Sequence, residues 1–406
     1  MADKKVQTII VGMTGRMDST VTAYLLKKQG LKVIGVSLDL LELADTEEGL
    51  ISRCHLPDLK KVKQLCDDMD IPFYAVRSSS IFRSKVLSKA QAARLSGQTY
   101  SPCIFCHELI LSILVEKMKL LKADRVATGH YAKITHNQTE NIFNVLVSGN
   151  TSHDQSFLLS RLPQSTLRYL VLPLGELRTL EVEKLSRNIL GGIQSFKMDY
   201  NFCFMKNKNF TSFVERNTSD TLRKAGVLNL LFEETWLMDH KGIHQYYPSM
   251  TEVKDEDGVG IGKKLSVVSI SPRTGMILMG NISELTFDRI LVHQFFHEGK
   301  EDYSRPRRVY IMFGRNRKRY KASMHFKNSK NILLKLDKPV EGLLIAGEHI
   351  TFFSKEGIAA KLIGSGIVLD NSEFQNIESL KKYDWLDDDE ENQDKKEVKN
   401  DENMEF

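Results

Sequence analysis

Hydrophobic and polar positions along residues 1–130 alternate between two periods. Apolar, β-branched runs predict strands, at residues 6–11, 32–38, 72–76 and 123–129. Helical spacing of apolar residues predicts helices between these runs, at residues 21–28, 59–70 and 107–122. Strands that alternate with helices are typical of a doubly wound, parallel α/β sheet, in which ligands bind beyond the carboxyl ends of the strands. The candidate site segments therefore follow Val11, Leu38 and Thr128.

From about residue 210 onward, the pattern changes to short β segments. Residues 242–280 predict a small central β-rich domain, and residues 287–370 predict a C-terminal β-barrel. The predicted barrel strands include Val309–Phe313, Ile332–Leu336 and Ile350–Phe353. The expected division is a catalytic domain, a central domain, a barrel and an acidic disordered tail, at residues 1–209, 210–285, 286–372 and 373–406.

The composition excludes several classes of protein. The 406 residues are 41% hydrophobic and 27% charged, as in ordinary globular domains, and no apolar run is long enough to span a membrane. Five cysteines do not form a disulfide framework, so a reducing cytoplasm is expected. The net charge of +5 conceals an acidic tail, because residues 384–406 carry −8 and the rest of the chain carries +13. A body this basic favours a polyanionic partner.

A turn rich in small residues, Gly12–Thr20, follows the first predicted strand. Small residues let backbone N–H groups approach a phosphate, and the helix that follows would add its dipole. The same residues also fit a tight strand-to-helix turn in which Asp18 or Ser19 caps the helix. The segment alone leaves both interpretations open.

Cys103 and Cys106 form a CxxC pair close to the start of a predicted helix. In a reduced protein this spacing indicates a redox pair, half of a metal site or an activated thiol, and a helix N-terminus favours a thiolate at Cys106. Two buried structural cysteines are the alternative. Cys203 lies between aromatic residues, and its spacing alone favours a packed side chain.

The predicted barrel carries a base-rich stretch. No acid interrupts residues 305–330, and aromatic residues are interspersed among the bases. On strands, this pattern favours a nucleic-acid-binding face over a merely solvated one, because solvated faces normally mix charges of both signs. The candidate RNA contacts in this stretch are Arg315, Arg317 and Arg319.

Six motifs, in order, resemble those of the bacterial tRNA-specific 2-thiouridylases, the wobble-uridine thiolation enzymes of the PP-loop ATPase class. The family's pyrophosphate loop corresponds to Gly12–Thr20, and its A-T-G-H-Y-A motif is unchanged at Ala127–Ala132. The other four motifs correspond to Gly97–His107, His153–Leu159, Leu174–Val182 and Met198–Phe204. The resemblance extends from residue 6 to about 370. It implies a PP-loop, adenine nucleotide alpha hydrolase-like α/β domain, then a small central domain and a β-barrel.

The resemblance implies ATP-dependent transfer of sulfur to C2 of the wobble uridine (U34) of tRNA. ATP, with Mg²⁺, would adenylate the C2 oxygen, Cys203 would carry sulfur as a persulfide, and Cys106 would be the partner nucleophile. The implied tRNA contacts are His153, Asp154 and Gln155. The implied ATP contacts are Gly12, Met13, Thr14, Gly15, Arg16, Met17, Asp18, Ser19, Leu38 and Gly129. A sulfur-donor protein, either a cysteine desulfurase or a sulfur relay, and a monomeric chain in the cytoplasm are expected.

Departures from the family keep two further hypotheses open. Arg16 replaces the second glycine of the family's loop, and Glu252 lies in a loop that is basic in the family. One hypothesis is an ATP-impaired paralogue that binds RNA or relays sulfur without activating uridine. The other is an enzyme of the same fold that holds a [4Fe–4S] cluster on Cys103, Cys106 and Cys203, with one iron left open. Apart from that cluster, no protein-bound metal is expected.

Overall fold

The structure is a computed structural model of the chain. It describes residues 6–42, 45–46, 50, 58–190, 204, 208–231, 235–254, 257–258, 260–261, 264–297, 305–314, 317–328 and 330–369. Two of the expected site residues, Cys203 and Arg315, lie outside the described residues, and so does the predicted acidic tail.

Strands and helices alternate through the first half of the chain. The described strands there are β1 (Thr8–Gly12), β2 (Lys32–Asp39), β3 (Phe73–Arg77), β4 (Arg125–Ala127), β5 (Ala132–Asn137), β6 (Ile142–Val147) and β7 (Leu170–Val171). The described helices are α1 (Met17–Lys28), α2 (Leu59–Asp68), α3 (Ser79–Phe82), α4 (Ser88–Leu95), α5 (Pro102–Leu120), α6 (Gln164–Leu167) and α7 (Thr179–Leu190). A π-helical turn, Arg83–Leu87, joins α3 to α4.

The central layer of this half is a parallel sheet with the strand order β3-β2-β1-β4-β7. The chain runs from β1 outward through β2 to β3, and then returns to add β4 on the other side of β1. The carboxyl ends of β1 and β4 therefore flank a topological switch point, which is where open α/β sheets bind ligands. Antiparallel strands β5 and β6 form a separate hairpin between β4 and β7.

The two faces of the sheet are covered by different helices. Ile10 of β1 packs on the face that carries Leu111 and Leu114 of α5. Its neighbours Ile9 and Val11 pack on the opposite face, which is covered by α1 and α2. Successive residues of a strand point to opposite faces, so an apolar run such as that of β1 is buried on both sides. The predicted doubly wound fold is confirmed.

The central region contains a second, smaller sheet. Helices α8 (Lys208–Arg216) and α9 (Asp220–Arg223) precede it. Its strands are β8 (Gly226–Leu230), β9 (Trp236–His240), β10 (Ser266–Ile270) and β11 (Ile277–Gly280), in the order β10-β11-β8-β9. Leu228, Val267 and Ile277 are fully buried in its core. The expected β-rich module is present, and one of its strand pairs, β8 with β11, is parallel.

The C-terminal region is a closed antiparallel barrel. Its strands are β12 (Thr286–His297), β13 (Arg307–Met312), β14 (Arg319–Phe326), β15 (Ile332–Glu341), β16 (His349–Phe353) and β17 (Leu362–Val368), in the order β12-β15-β14-β13-β16-β17. Ile290, Ile311, Met324, Leu334 and Phe352 fill the interior. Closure pairs both edges of every strand, so the predicted barrel is confirmed.

The three regions pack directly on one another. Helix α5 meets the barrel through Cys103 and Ile104, which lie in one apolar cluster with Met312 and Phe353. Helix α8 packs into the core of the N-terminal region and spans the predicted boundary at residue 209. The domain limits therefore stay a prediction. None of the helices in the described ranges has the length and apolar character needed to cross a lipid bilayer.

Candidate active site

The turn between β1 and α1 is held by its own side chains. The hydroxyl of Ser19 accepts a hydrogen bond from the backbone N–H of Thr14 at 3.1 Å and donates one to the carbonyl of Arg16 at 3.0 Å. Gly15 has φ +72°, a conformation that favours glycine. The first N–H groups of a helix have no intrahelical acceptor, so the start of α1 presents backbone donors where a phosphate would bind.

Arg16 fits this turn without backbone strain. It precedes α1 as the N-cap, with φ −90° and ψ 164°, which is extended backbone open to any residue. The positive φ of the turn lies one residue earlier, at Gly15. The backbone of this turn therefore accommodates arginine, whose side chain lines the site.

The turn forms one wall of a cavity of about 120 Å³, here called the loop cavity. Apart from Gly15, which is buried, every expected ATP contact lines it, including Arg16, Leu38 and Gly129. Cys106 of α5 and Gln155 line it as well. The cavity lies at the carboxyl ends of β1, β2 and β4, where the parallel sheet predicts a site.

Gly129 brings the end of β4 against the start of α1. A Cβ atom on Gly129 would lie 2.7 Å from the carbonyl carbon of Asp18 and 2.8 Å from its Cβ. Both atoms lie on or next to the backbone, so neither can move aside without shifting the helix. Only glycine permits this close approach, and both Gly129 and Asp18 line the loop cavity.

Asp18 is the carboxylate of the loop cavity. It accepts a hydrogen bond from the hydroxyl of Tyr131 at 2.9 Å. Burial raises the pKa of Asp18, while the hydrogen bond from Tyr131 and the nearby His153 act in the opposite direction. Tyr131 was not among the expected site residues, although it lies in the A-T-G-H-Y-A motif that carries Gly129.

Two histidines that are not among the expected site residues also belong to the cavity wall. The rings of His107 and His130 meet edge to face at 4.9 Å, and both line the loop cavity. Nδ1 of His107 lies 2.6 Å from the carbonyl oxygen of Cys103, so it donates the hydrogen bond. Desolvation lowers the pKa of each ring, so the neutral form of both is favoured; the charge of His107 adds to the lowering at His130, and the hydrogen bond to the Cys103 carbonyl acts in the opposite direction at His107. Nε2 of His130 is buried without a hydrogen-bond partner among the described residues, and a bound ligand would supply one.

The CxxC pair is split between two environments. Cys106 is partly exposed and lines the loop cavity, whereas Cys103 is 2% exposed and packs against the barrel. A cluster that used both thiolates would require Cys103 to leave this packing. Cys203 lies outside the described residues, and within the described ranges no group of three or more His, Cys, Asp or Glu side chains is arranged to hold a metal.

The expected RNA segment 153–155 is tied to the loop cavity. Tyr131 donates its backbone N–H to the side-chain oxygen of Gln155 at 3.0 Å, and Gln155 lines the cavity. Asp154 is only 7% exposed and accepts hydrogen bonds from the backbone N–H groups of Ser148 and Ser156. Burial raises the pKa of Asp154 against these hydrogen bonds. In this arrangement Asp154 organises the segment from inside, while His153 is exposed.

Two of the expected barrel contacts point at the N-terminal region. The guanidinium of Arg319 stacks over the ring of Phe353 at 4.1 Å and lies 3.6 Å from the carboxylate of Asp154. Arg317 donates to the carbonyl oxygen of Asp154 at 3.5 Å. The side chain of Arg319 is 13% exposed. Both arginines are therefore interface residues in this arrangement, and the open cations of the barrel include Lys321 and Lys327.

Comparison with known proteins agrees with this architecture. A protein-family profile described as "tRNA methyl transferase HUP domain" matches residues 7–207. The tRNA-specific 2-thiouridylase MnmA 1 of Thermoanaerobacter sp. is 26% identical over 371 residues, which cover 90% of this chain and 98% of that protein. The tRNA-specific 2-thiouridylase MnmA of Clostridium acetobutylicum is 26% identical over 367 residues, which cover 89% and 99%.

One solved structure, described as a predicted subunit of tRNA methyltransferase from Methanocaldococcus jannaschii, aligns with a TM-score of 0.30 and 17% identity, covering 53% of this chain and 91% of that chain. The relatives, by contrast, align along nearly their full length and include the barrel. The chain is a tRNA 2-thiouridylase-like protein whose N-terminal half matches the HUP domain.

Proposed function

We propose that the chain is a tRNA-uridine 2-sulfurtransferase, which uses ATP to transfer sulfur to C2 of the wobble uridine (U34) of tRNA. One observation carries the proposal: the phosphate-type turn, Gly129 and the Cys106 side chain line a single cavity. A nucleotide-binding turn and a thiol that share a wall suit a reaction in which an adenylated substrate meets a sulfur nucleophile.

In the first step, the C2 oxygen of uridine attacks the α-phosphorus of ATP, and pyrophosphate leaves. The N–H groups at the start of α1 and the Arg16 guanidinium would stabilise the negative charge of the leaving group. Asp18 would be the carboxylate that holds Mg²⁺ in this cavity, and the ion would neutralise part of the phosphate charge. Neutral His107 and His130 add no charge to this wall and supply ring nitrogens to the substrate.

In the second step, the terminal sulfur of a Cys203 persulfide attacks C2, and AMP leaves. Cys106 then attacks the Cys203 sulfur, so that a Cys106–Cys203 disulfide forms and the new thiocarbonyl is released. A thiol reductant reopens the disulfide, and a cysteine desulfurase or a sulfur relay reloads Cys203. This cycle suits a monomeric enzyme in the reducing cytoplasm.

Thiolation of transcribed tRNA by the purified chain tests the proposal. Cys106→Ser should reduce the rate at least 100-fold, because a hydroxyl cannot take over a disulfide exchange. Cys103→Ala is the matched control on the same helix, and it should lose less than fivefold, because Cys103 packs outside the loop cavity. Equal losses in the two variants, or no thiolation by the wild type with ATP and a cysteine desulfurase that supplies persulfide sulfur from cysteine, would reject the proposed activity.

The size of the loop cavity favours a second candidate, the ATP-impaired paralogue. The cavity measures about 120 Å³ with Arg16 in its wall, below the roughly 300–1,000 Å³ typical of small-molecule sites. If Arg16 clamps pyrophosphate, Arg16→Gly should weaken ATP binding about tenfold, whereas an obstructing Arg16 would give the opposite result. Calorimetric titration of ATP into both proteins separates the two candidates.

A further inference from the structure

A second and larger cavity lies where the three regions of the chain meet. It measures about 410 Å³ and is here called the junction cavity. Arg94 and Tyr100 come from the N-terminal region, Tyr247 from the central region, and Phe313 and Val340 from the barrel. Its volume falls within the roughly 300–1,000 Å³ range of ligand sites. None of these residues belongs to the loop cavity.

The walls of the junction cavity are fixed by close backbone contacts. A Cβ atom on Gly97 would lie 2.6 Å from the carbonyl oxygen of Ile270, in the central sheet. On the other side, the backbone N–H of Thr99 donates a hydrogen bond to the carbonyl oxygen of Ala346 in the barrel at 3.0 Å. A Cβ atom on Gly347 of the barrel would lie 2.2 Å from the carbonyl oxygen of Thr99. The segment before α5 is thus held from both sides, which makes the cavity a property of the assembled fold.

Arg94 is a buried cation that the described residues do little to balance. The residue is 6% exposed, and its guanidinium lies between the rings of Phe210 at 5.3 Å and Tyr247 at 5.1 Å. Its hydrogen bond within the described residues is a long one of 3.3 Å, to the carbonyl oxygen of His244. Burial lowers its pKa to about 10, so it stays charged at neutral pH. A guanidinium has five N–H donors, and a buried charge without a counter-ion is costly.

The other residues of the cavity wall restrict the kind of ligand that can bind beside Arg94. Tyr247, Phe313 and Tyr320 offer aromatic surface on which a flat ring can stack. Glu341 and Glu348 line the barrel side, where carboxylates accept hydrogen bonds from sugar hydroxyls or ring N–H groups. A ligand that satisfies all three features carries an anion, a planar ring and hydrogen-bond donors.

We propose that the junction cavity binds one nucleotide, with its phosphate on Arg94 and its base against the aromatic wall. The nucleotide is either a free nucleoside monophosphate or one unit of an RNA chain turned out of its stack. The RNA form rests on the proposed function, whereas the free form does not. Ser101, the N-cap of α5, lines the same cavity. A nucleotide bound there would therefore lie beside the start of the helix that carries Cys106.

The test is calorimetric titration of UMP, uridine and inorganic phosphate into the full chain without ATP. UMP should bind the wild type at least tenfold more tightly than uridine or phosphate does. Arg94→Met should weaken UMP binding at least tenfold. Methionine keeps the apolar packing and removes an unbalanced charge, so the variant should fold, which thermal unfolding checks. Asp18→Asn, in the loop cavity, is the control and should change UMP binding less than twofold.

A second variant, Val340→Trp, fills the junction cavity from the barrel side while Arg94 itself is unchanged, and it should also abolish UMP binding. The source of the nucleotide follows from filter binding of tRNA. An Arg94→Met protein that binds tRNA at least fivefold more weakly identifies the RNA form, and UMP binding with unchanged tRNA affinity identifies the free form. The proposal is overturned if neither ligand depends on Arg94, if phosphate binds as well as UMP, or if Asp18→Asn rather than Arg94→Met removes binding.

Discussion

The loop cavity and the junction cavity are built in opposite ways. The loop cavity lies at the carboxyl ends of the strands of one sheet, and its shape depends on backbone turns and on the contact between Gly129 and Asp18. The junction cavity is larger, and side chains from three regions surround it. The first should withstand changes in the arrangement of the regions and fail when its glycine contact is lost. The junction cavity should withstand loss of that glycine contact and fail when the arrangement of the regions changes.

The largest effect that separates the two cavities is expected from Gly129→Ala. The added methyl group would meet the backbone of Asp18 at 2.7 Å, so α1 must shift and the loop cavity must change width. We expect ATP affinity to fall at least 100-fold, measured by calorimetry, while UMP binding in the junction cavity stays within twofold. Gly260→Ala is the control, because its Cβ would meet no atom within 4 Å. Retained ATP affinity would place the nucleotide elsewhere.

The contrast between the cavities also explains what the sequence could predict. The residues of the loop cavity cluster in short motifs around Gly12–Thr20, Cys106 and Gly129, because a turn and a strand end need particular residues next to one another. Arg16 takes the place of a glycine in the family's loop, and its φ of −90° shows that the position needs no glycine conformation. Arg94 carried no signal, because nothing in the chain near it shows that residues from two other regions cover it.

The barrel arginines could be predicted from the sequence only in part. Charge and spacing correctly indicate a basic barrel, but they do not tell which bases face outward. Arg319 turns inward because Asp154, more than 160 positions earlier in the chain, has a buried carboxylate beside it. Alternation within β14 gives the face of each residue only once the partner of that face is known.

The contact between Asp154 and Arg319 should be the main electrostatic support of the barrel against the N-terminal region. Asp154→Asn removes the charge while Arg319 remains only 13% exposed, so we expect a loss of about 2–3 kcal/mol in the free energy of unfolding. Urea denaturation measures it. Asp337→Asn, whose partner Arg308 is 73% exposed, should lose less than about 1 kcal/mol. Similar losses of unfolding free energy in the two variants would mean that the contact between Asp154 and Arg319 contributes no more than an exposed ion pair.

Acid should weaken the barrel side of the junction through His349. This residue begins β16, next to Glu348 of the junction cavity, and packs edge-on against Phe105. Burial lowers the pKa of His349 to about 3 from 6.5, with a smaller effect from Arg161. Because the unfolded chain binds the proton more readily, the stabilising contribution is complete above pH 6.5 and declines as the pH falls toward 3, by about 1.4 kcal/mol per pH unit.

His349→Phe should therefore flatten the acid limb of the unfolding profile between pH 6.5 and 4, with equal or higher stability at pH 7. Stability at pH 7 should not fall because Nε2 of His349 is buried without a hydrogen-bond partner in the described part of the chain, and phenylalanine has no polar atom there. His136→Gln, at an exposed position, should leave the limb unchanged. An acid limb of equal steepness in His349→Phe would assign the loss to other groups.

The smallest expected effect concerns which barrel cations meet RNA. Lys321 and Lys327 are exposed, whereas Arg319 is engaged with Asp154 and Phe353. If RNA follows the open face, the double variant Lys321→Ala/Lys327→Ala should lower the slope of log affinity against log salt by up to about two units, since each phosphate contact releases about one counterion. Arg319→Met should change that slope by less than half a unit, because its charge is already neutralised within the protein. A filter-binding series over salt concentration decides between the faces. If the salt slope instead falls for Arg319→Met and not for the lysine pair, the arginines are the residues that contact RNA. In that case Arg319 must separate from Asp154 when RNA binds, so the barrel must move relative to the N-terminal region.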